Sequence, residues 1–96
     1  MPEKFPRVYI LASNPYGTLY IGVTSDLVKR VWQQRNSLCE GFTKKYKIHK
    51  LVWFELYDRM DTAIEREKGP KNWKRAWKIK LIERSNPDWC DLYSGL

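Results

Sequence analysis

With 96 residues, the chain has room for one domain, spanning 1–96. Its 43 % hydrophobic and 15 % aromatic content supplies one compact core and excludes a disordered tail. The 18 Lys and Arg outnumber the 11 Asp and Glu, and the formal charge of +7 points to a polyanionic partner, either nucleic acid or an anionic membrane surface. No apolar run is long enough to span a bilayer and no signal-peptide apolar segment follows Met1-Pro2-Glu3-Lys4, so a cytoplasmic protein without a membrane span is expected. Two distant cysteines, Cys39 and Cys90, and one histidine, His49, exclude a zinc finger, a disulfide framework and any mechanism that needs paired histidines.

In chain order, Val8 to Ala12 and Thr18 to Gly22 are short β-branched and aromatic runs. Ser13-Asn14-Pro15-Tyr16-Gly17 between them has turn punctuation, so the pair predicts a β-hairpin. Alternation along a strand groups Tyr9 with Leu11, and Tyr20 with Thr18 and Gly22; a suitable register brings the two tyrosines to one side. Thr24, Ser25 and Asp26 are N-cap candidates for a helix carrying Leu27, Val28, Val31 and Trp32 at helical spacing. Arg30 and Gln34, four residues apart, stack on one side of that helix. A basic connection holding Lys44, Lys45, Lys47, His49 and Lys50 follows.

Leu51 to Tyr57 is almost wholly apolar and predicts a central strand buried on both faces, with Glu55 as its one charge. Thr62-Ala63-Ile64-Glu65 fits a capping box, starting a helix with Glu65, Arg66 and Glu67 in its first turns. Gly69-Pro70 is expected to break or sharply redirect that helix. A last helix from about Asn72 to Arg84 carries Trp73, Ala76, Trp77 and Leu81 as an apolar stripe, until Asn86-Pro87 ends it. The order is β-β-α-β-α-α: an α/β chain of the α+β type, with a three-stranded, mostly antiparallel sheet flanked by helices.

Hydrolysis of a phosphodiester needs a base to activate water, a cation to stabilise the crowded oxyanion, and neutralisation of the leaving oxygen. Tyr9, Tyr20, Arg30 and Glu67 are candidates for these tasks, although each alone fits an ordinary role in packing, solvation or helix-dipole compensation.

Together they resemble the GIY-YIG nuclease signature. Val8-Tyr9-Ile10, then Tyr20-Ile21-Gly22, then Thr24, Asp26-Leu27 and Arg30 follow its order, as does Glu67 with Ala63-Ile64 before it. Phe42-Thr43-Lys44-Lys45-Tyr46, Leu51-Val52-Trp53-Phe54-Glu55, Ala63 to Lys68 and Asn86-Pro87-Asp88-Trp89 are also similar to the small stand-alone bacterial proteins of that family. The resemblance implies an active site of Tyr9, Tyr20, Arg30 and Glu67. In it Glu67 holds one Mg²⁺ or Mn²⁺, a tyrosine positions or deprotonates the attacking water, and Arg30 binds the scissile phosphate. It leaves open which tyrosine is the base.

Three departures stand out: Val8 replaces a glycine, Gln34 stands where many relatives carry histidine or tyrosine, and Gly69-Pro70 interrupts the helix after Glu67. Glu55 competes with Glu67 as metal ligand; it is expected to be partly buried and paired, one layer back from the chemistry. Lys44, Lys45, Lys68, Lys71, Lys74 and Lys78 are expected to face nucleic acid, while the spacing of Trp73 and Trp77 assigns them to the core rather than to base stacking. The expected function is a metal-dependent DNA endonuclease of low sequence specificity, acting on duplex, branched or damaged DNA, with repair as one setting and a protein partner as a source of targeting. One alternative is a nucleic-acid-binding module that keeps the fold without turnover, supported by Gln34 and Gly69-Pro70. Another is an interaction subunit, which predicts an exposed aromatic patch.

Overall fold

The computed structural model describes residues 5–13, 17–35, 48 and 50–95. Among these, strands β1 (Arg7–Ala12) and β2 (Leu19–Thr24) precede helix α1 (Leu27–Arg35) and strand β3 (Lys50–Leu56). Helix α2 (Met60–Asn72), helix α3 (Arg75–Ser85) and a 3₁₀ turn at Leu92–Gly95 follow. The sheet is antiparallel with the order β2-β1-β3, as the α+β reading anticipates.

The central strand is β1, whose residues from Val8 to Ala12 are all buried. Its two faces build two cores. Val8, Ile10 and Ala12 pack with Ile21, Trp53, Ala63, Ile82 and Trp89 under α2 and α3. Tyr9 and Leu11 pack with Leu27, Val31, Ile48 and Leu51 under α1. One face is therefore the tyrosine face and the other the α2–α3 face.

Strand β3 lies at an edge, which corrects the expectation of a central strand over Leu51 to Tyr57. A register shift opposite Ile10 and Leu11 pairs Ile10 with Trp53 and Leu11 with Leu51, leaving Val52 as the extra residue. The apolar run reflects this bulge: Leu51 faces one core, while Val52 and Trp53 both face the other. Beyond it the strand opens, and Phe54 and Leu56 are exposed. The buried Asn86 side chain donates to the Val52 carbonyl at 3.0 Å and to the Cys90 carbonyl at 2.9 Å. Its own oxygen accepts from the Cys90 N–H at 3.0 Å. Asn86 thus ends α3 as expected and also ties the C-terminal segment to the bulge.

The helix boundaries on the α2–α3 face differ from the sequence expectation. Helix α2 starts at Met60, with Arg59 at the N-cap and no side-chain cap. Thr62 lies inside the first turn and donates its hydroxyl to the Arg59 carbonyl at 2.8 Å, and Glu65 pairs with Lys68 rather than closing a capping box. Gly69-Pro70 does not break the helix, which runs on to Asn72. Pro70 forfeits one N–H in the last turns, its ring is buried, and the helix closes soon after, when the Trp73 N–H bonds to the Pro70 carbonyl. Helix α3 then begins only at Arg75, so Trp73 sits in the link rather than on an apolar stripe. Ile82 is the buried residue of α3, whereas Trp77 is 56 % exposed and Ala76 is exposed as well.

Candidate functional site

Tyr9 pairs with Gly22, and Leu11 with Tyr20, across the β1–β2 ladder. Directly opposed residues share a face, so both tyrosines project to the α1 side as diagonal neighbours. Their ring centroids are 6.3 Å apart with a 40° interplanar angle. The Tyr9 ring leans across β2 onto Gly22: a Cβ at that glycine would lie 2.5 Å from Tyr9 Oη and 2.6 Å from its Cζ. Gly22 is needed because the tyrosine occupies the place of its side chain. Tyr9 is buried, while Tyr20 is only partly covered.

Helix α1 is set on this face by its cap. Of the three candidates, Asp26 caps the helix, its carboxylate accepting the Lys29 N–H at 3.2 Å, and Thr24 Oγ1 accepts the Asp26 N–H at 3.1 Å. Leu27 and Val31 are fully buried against the tyrosine core, whereas Val28 and Trp32 point outward. Arg30, one turn after Leu27, lines a cleft of about 360 Å³ with Thr24, Ser25, Asp26, Lys29 and Gln33. Gln34 lies in the last turn of α1.

Arg7 is a further cation on this face that sequence reasoning missed. Two residues before Tyr9, it pairs with Thr24, a lining residue of the Arg30 cleft. Its guanidinium lies 6.0 Å from the Phe54 ring centroid, and its buried Nε has no hydrogen-bond partner among the described residues. Strand alternation from Tyr9 was the available signal. Lys29 was missed as well, although it neighbours Arg30 in the same cleft.

Glu67 reaches the sheet from the other layer. Ala63, Glu67 and Pro70 occupy i, i+4 and i+7, the inward stripe of α2; Ala63 and Pro70 are buried and the Glu67 side chain is only 13 % exposed. Helix α2 packs across β2 and β1. The Glu67 carboxylate pairs with Lys71 at 2.8 Å, one turn on. The tyrosines and the helix of Arg30 therefore share one face, while Glu67 approaches the same two strands from the opposite layer and does not line the Arg30 cleft.

Glu55 is partly buried and paired. It opposes Val8, so it faces the α2–α3 layer. It accepts the Tyr57 hydroxyl proton in a short hydrogen bond and Arg66 Nε at 3.2 Å. Burial, reinforced by the bond to the Glu55 carboxylate and its charge, pushes the Tyr57 phenol from 10.0 up to about 12.

The basic stretch of α2 and α3 divides into committed and open cations. Lys68 pairs with Glu65, Lys71 with Glu67, and Arg66 with Glu55, while Arg75 donates to the Gly17 carbonyl of the hairpin turn. Lys74 and Lys78 have no ion pair among the described residues. Lys44 and Lys45 lie outside the described residues.

No group of three His, Cys, Asp or Glu side chains able to hold a metal is found among the described residues. That donor set does not build an all-protein cage. It suits an ion such as Mg²⁺ or Mn²⁺ that takes one carboxylate and completes its shell with water and phosphate oxygens. Glu67 would supply that carboxylate, with Lys71 as its competing partner. No helix among the described residues is long and apolar enough to cross a membrane.

A family model described as the GIY-YIG catalytic domain matches residues 5–80, which include both tyrosines, Arg30 and Glu67. A UPF0213 protein of Syntrophus aciditrophicus is 39 % identical over 83 residues, covering 84 % of this chain and 92 % of that protein. A UPF0213 protein of Staphylococcus saprophyticus is 35 % identical over 75 residues, covering 78 % and 90 %. The solution NMR structure of a UPF0213 protein from Bacillus halodurans shares the fold, with a TM-score of 0.55 at 23 % identity over 88 % of each chain.

Proposed function

The chain belongs to the GIY-YIG catalytic-domain family, a family of nucleases, and from that premise we propose that it is a metal-dependent endonuclease that hydrolyses DNA phosphodiester bonds with low sequence specificity. The observation that carries the reading is the Tyr9 ring fitted over Gly22 with Tyr20 packed beside it, on the same face as the helix that presents Arg30.

In this reading Arg30 binds the scissile phosphate, with Lys29 and Arg7 adding positive charge on the same side. One of the two tyrosines, having first released its own phenol proton to solvent, holds the attacking water as the phenolate and takes its proton, while the other ring packs beside it. Glu67 would hold a divalent ion in place of Lys71, whose ammonium pairs with the carboxylate in this structure. When bound, the ion supplies Lewis-acid stabilisation of charge on the phosphate oxygens. Strand β2 is a sheet edge, so a DNA strand laid along it would meet α1 on one side and α2 on the other. Selectivity would come from DNA shape, as at branched or damaged sites, or from a protein partner.

The binding-module alternative loses one of its two supports, because α2 runs through Gly69-Pro70 and keeps Glu67 on an intact helix. The test is cleavage of plasmid and branched DNA with Mg²⁺ or Mn²⁺, beside Glu67→Gln and Arg30→Ala. The expected result is metal-dependent cutting that falls at least about a hundredfold in either variant. Cutting that both substitutions leave unchanged would overturn the site. Intact binding with no cutting on any substrate would favour the binding module.

A further inference from the structure

On the α2–α3 face, away from the tyrosines, Arg66, Trp73, Trp77, Lys80, Leu81 and Arg84 line an open groove of about 430 Å³. Trp77, Lys80, Leu81 and Arg84 stand at i, i+3, i+4 and i+7, so α3 turns one continuous stripe into it. Arg66 of α2 and Trp73 of the link form the opposite wall. Trp73, Trp77 and Leu81, three of the four residues that the sequence assigned to an apolar core stripe, thus line a solvent-open groove.

Its parts are arranged for a planar, anionic ligand. The Arg66 guanidinium lies 5.6 Å from the Trp73 ring centroid and covers that indole. Trp73 in turn meets Trp77 edge to face, with centroids 6.2 Å apart at 76°. Trp77 is left 56 % exposed as an open aromatic platform. Lys80 and Arg84 follow it, about 6 Å apart along the helix axis. Among the described residues, no carboxylate lines the groove. Glu55 is paired with Arg66 of the groove wall and with Tyr57, which leaves Lys80 and Arg84 as the groove's cations for phosphate, and Glu83 accepts the Trp89 indole N–H.

We propose that this groove binds single-stranded DNA, stacking an unpaired base on Trp77 while Lys80 and Arg84 hold the adjoining phosphates. A paired base keeps its faces inside the duplex stack and cannot offer one to Trp77; an unpaired base can. Two cations with an open indole and no acid lining select such a strand by charge complementarity as well as by shape. Arg66 of the groove and Glu67 are consecutive on α2 and point to different sides of it, so the groove and the proposed metal ligand share one helix, and an unpaired strand held here would direct cutting to junctions between duplex and single strand. The proposal rests on the nucleic-acid reading above, but not on catalysis.

The test is equilibrium binding of the full chain, without divalent metal, to a short oligothymidylate and to an abasic strand of the same length and charge. The expected result is about tenfold tighter binding of the oligothymidylate. Trp77→Ala should abolish that preference, Trp77→Phe should keep most of it, and both should melt like the parent because the side chain is exposed. Lys80→Ala with Arg84→Ala should weaken both strands alike and reduce the slope of log affinity against log salt by about 0.7 per lost contact. Equal binding of the two strands by the parent, or a preference that survives Trp77→Ala, would overturn the proposal. Since no cutting is read, that failure leaves the nuclease reading to its own assay, and an inactive nuclease could still pass this one.

Discussion

The two sides of the sheet use the same ingredients, aromatic rings and cations, in opposite ways. On the tyrosine face Tyr9 is buried, its ring is locked over Gly22, and α1 is fixed by the Asp26 cap and by Leu27 and Val31. On the α2–α3 face Trp77 stands open, and both helices begin without a side-chain cap. A buried tyrosine ring locked over a glycine has a fixed geometry, as proton transfer requires. An open indole with long cations around it adapts to a mobile strand. On the function proposed above, water activation and phosphate binding belong to the tyrosine face, Glu67 joins them from the α2 layer, and the Trp77 groove grips an unpaired strand.

The largest stability effect should come from Gly22→Ala. The new Cβ would overlap the Tyr9 ring, which is rigid and buried in the core, and overpacking of this kind costs about 2 kcal/mol. Urea denaturation should show a lower midpoint with an unchanged slope. A variant as stable as the parent would mean that the tyrosine is free to move, and the contrast between the sides would fail. Trp77→Ala, by comparison, should change stability by no more than about 0.5 kcal/mol. A larger loss would mean that the groove is part of the core.

A smaller effect concerns pH. Tyr57 keeps its proton in the fold, where its pKa is raised from 10.0 to about 12. A raised folded-state value gives stability that is fully present below pH 10 and is lost as pH climbs through 12. Alkaline melting of the parent should therefore steepen over that window relative to Tyr57→Phe. Identical pH profiles would show that the Glu55–Tyr57–Arg66 cluster is loose in solution.

The same division governs what the sequence discloses. On the tyrosine face, period-two alternation leaves only the register to bring Tyr9 and Tyr20 together, and of three neighbouring cap candidates Asp26 sets the start of α1. Short-range rules suffice there, because each residue's direction follows from its immediate neighbours. Arg7 was equally legible by alternation, but its type is so often a solvated surface charge that only its pairing with Thr24 singles it out.

The other side depends on contacts distant in the chain. The Val52 bulge is recognisable only once Asn86 is seen to hold its carbonyl, across 34 positions in sequence. A strand with that bulge reads as uniformly apolar without being central. Thr62 looked like a cap, but α2 begins two residues earlier, at Met60. Pro70 looked like a break, but its ring is buried at the end of a helix about to close. Delaying α3 to Arg75 then moves Trp73 off the helix and turns Trp77 outward.

The contrast is decided most directly by single-turnover cleavage and binding, measured together on duplex DNA carrying a single-stranded tail, for Tyr9→Phe, Tyr20→Phe and Trp77→Ala. The tyrosine variants should lose at least about a hundredfold in cutting rate at nearly unchanged affinity, with the larger loss marking the base. Trp77→Ala should lose affinity for the tailed DNA and keep its rate at saturation. Tyrosine variants that cut as fast as the parent would contradict the assignment of chemistry to the tyrosine face.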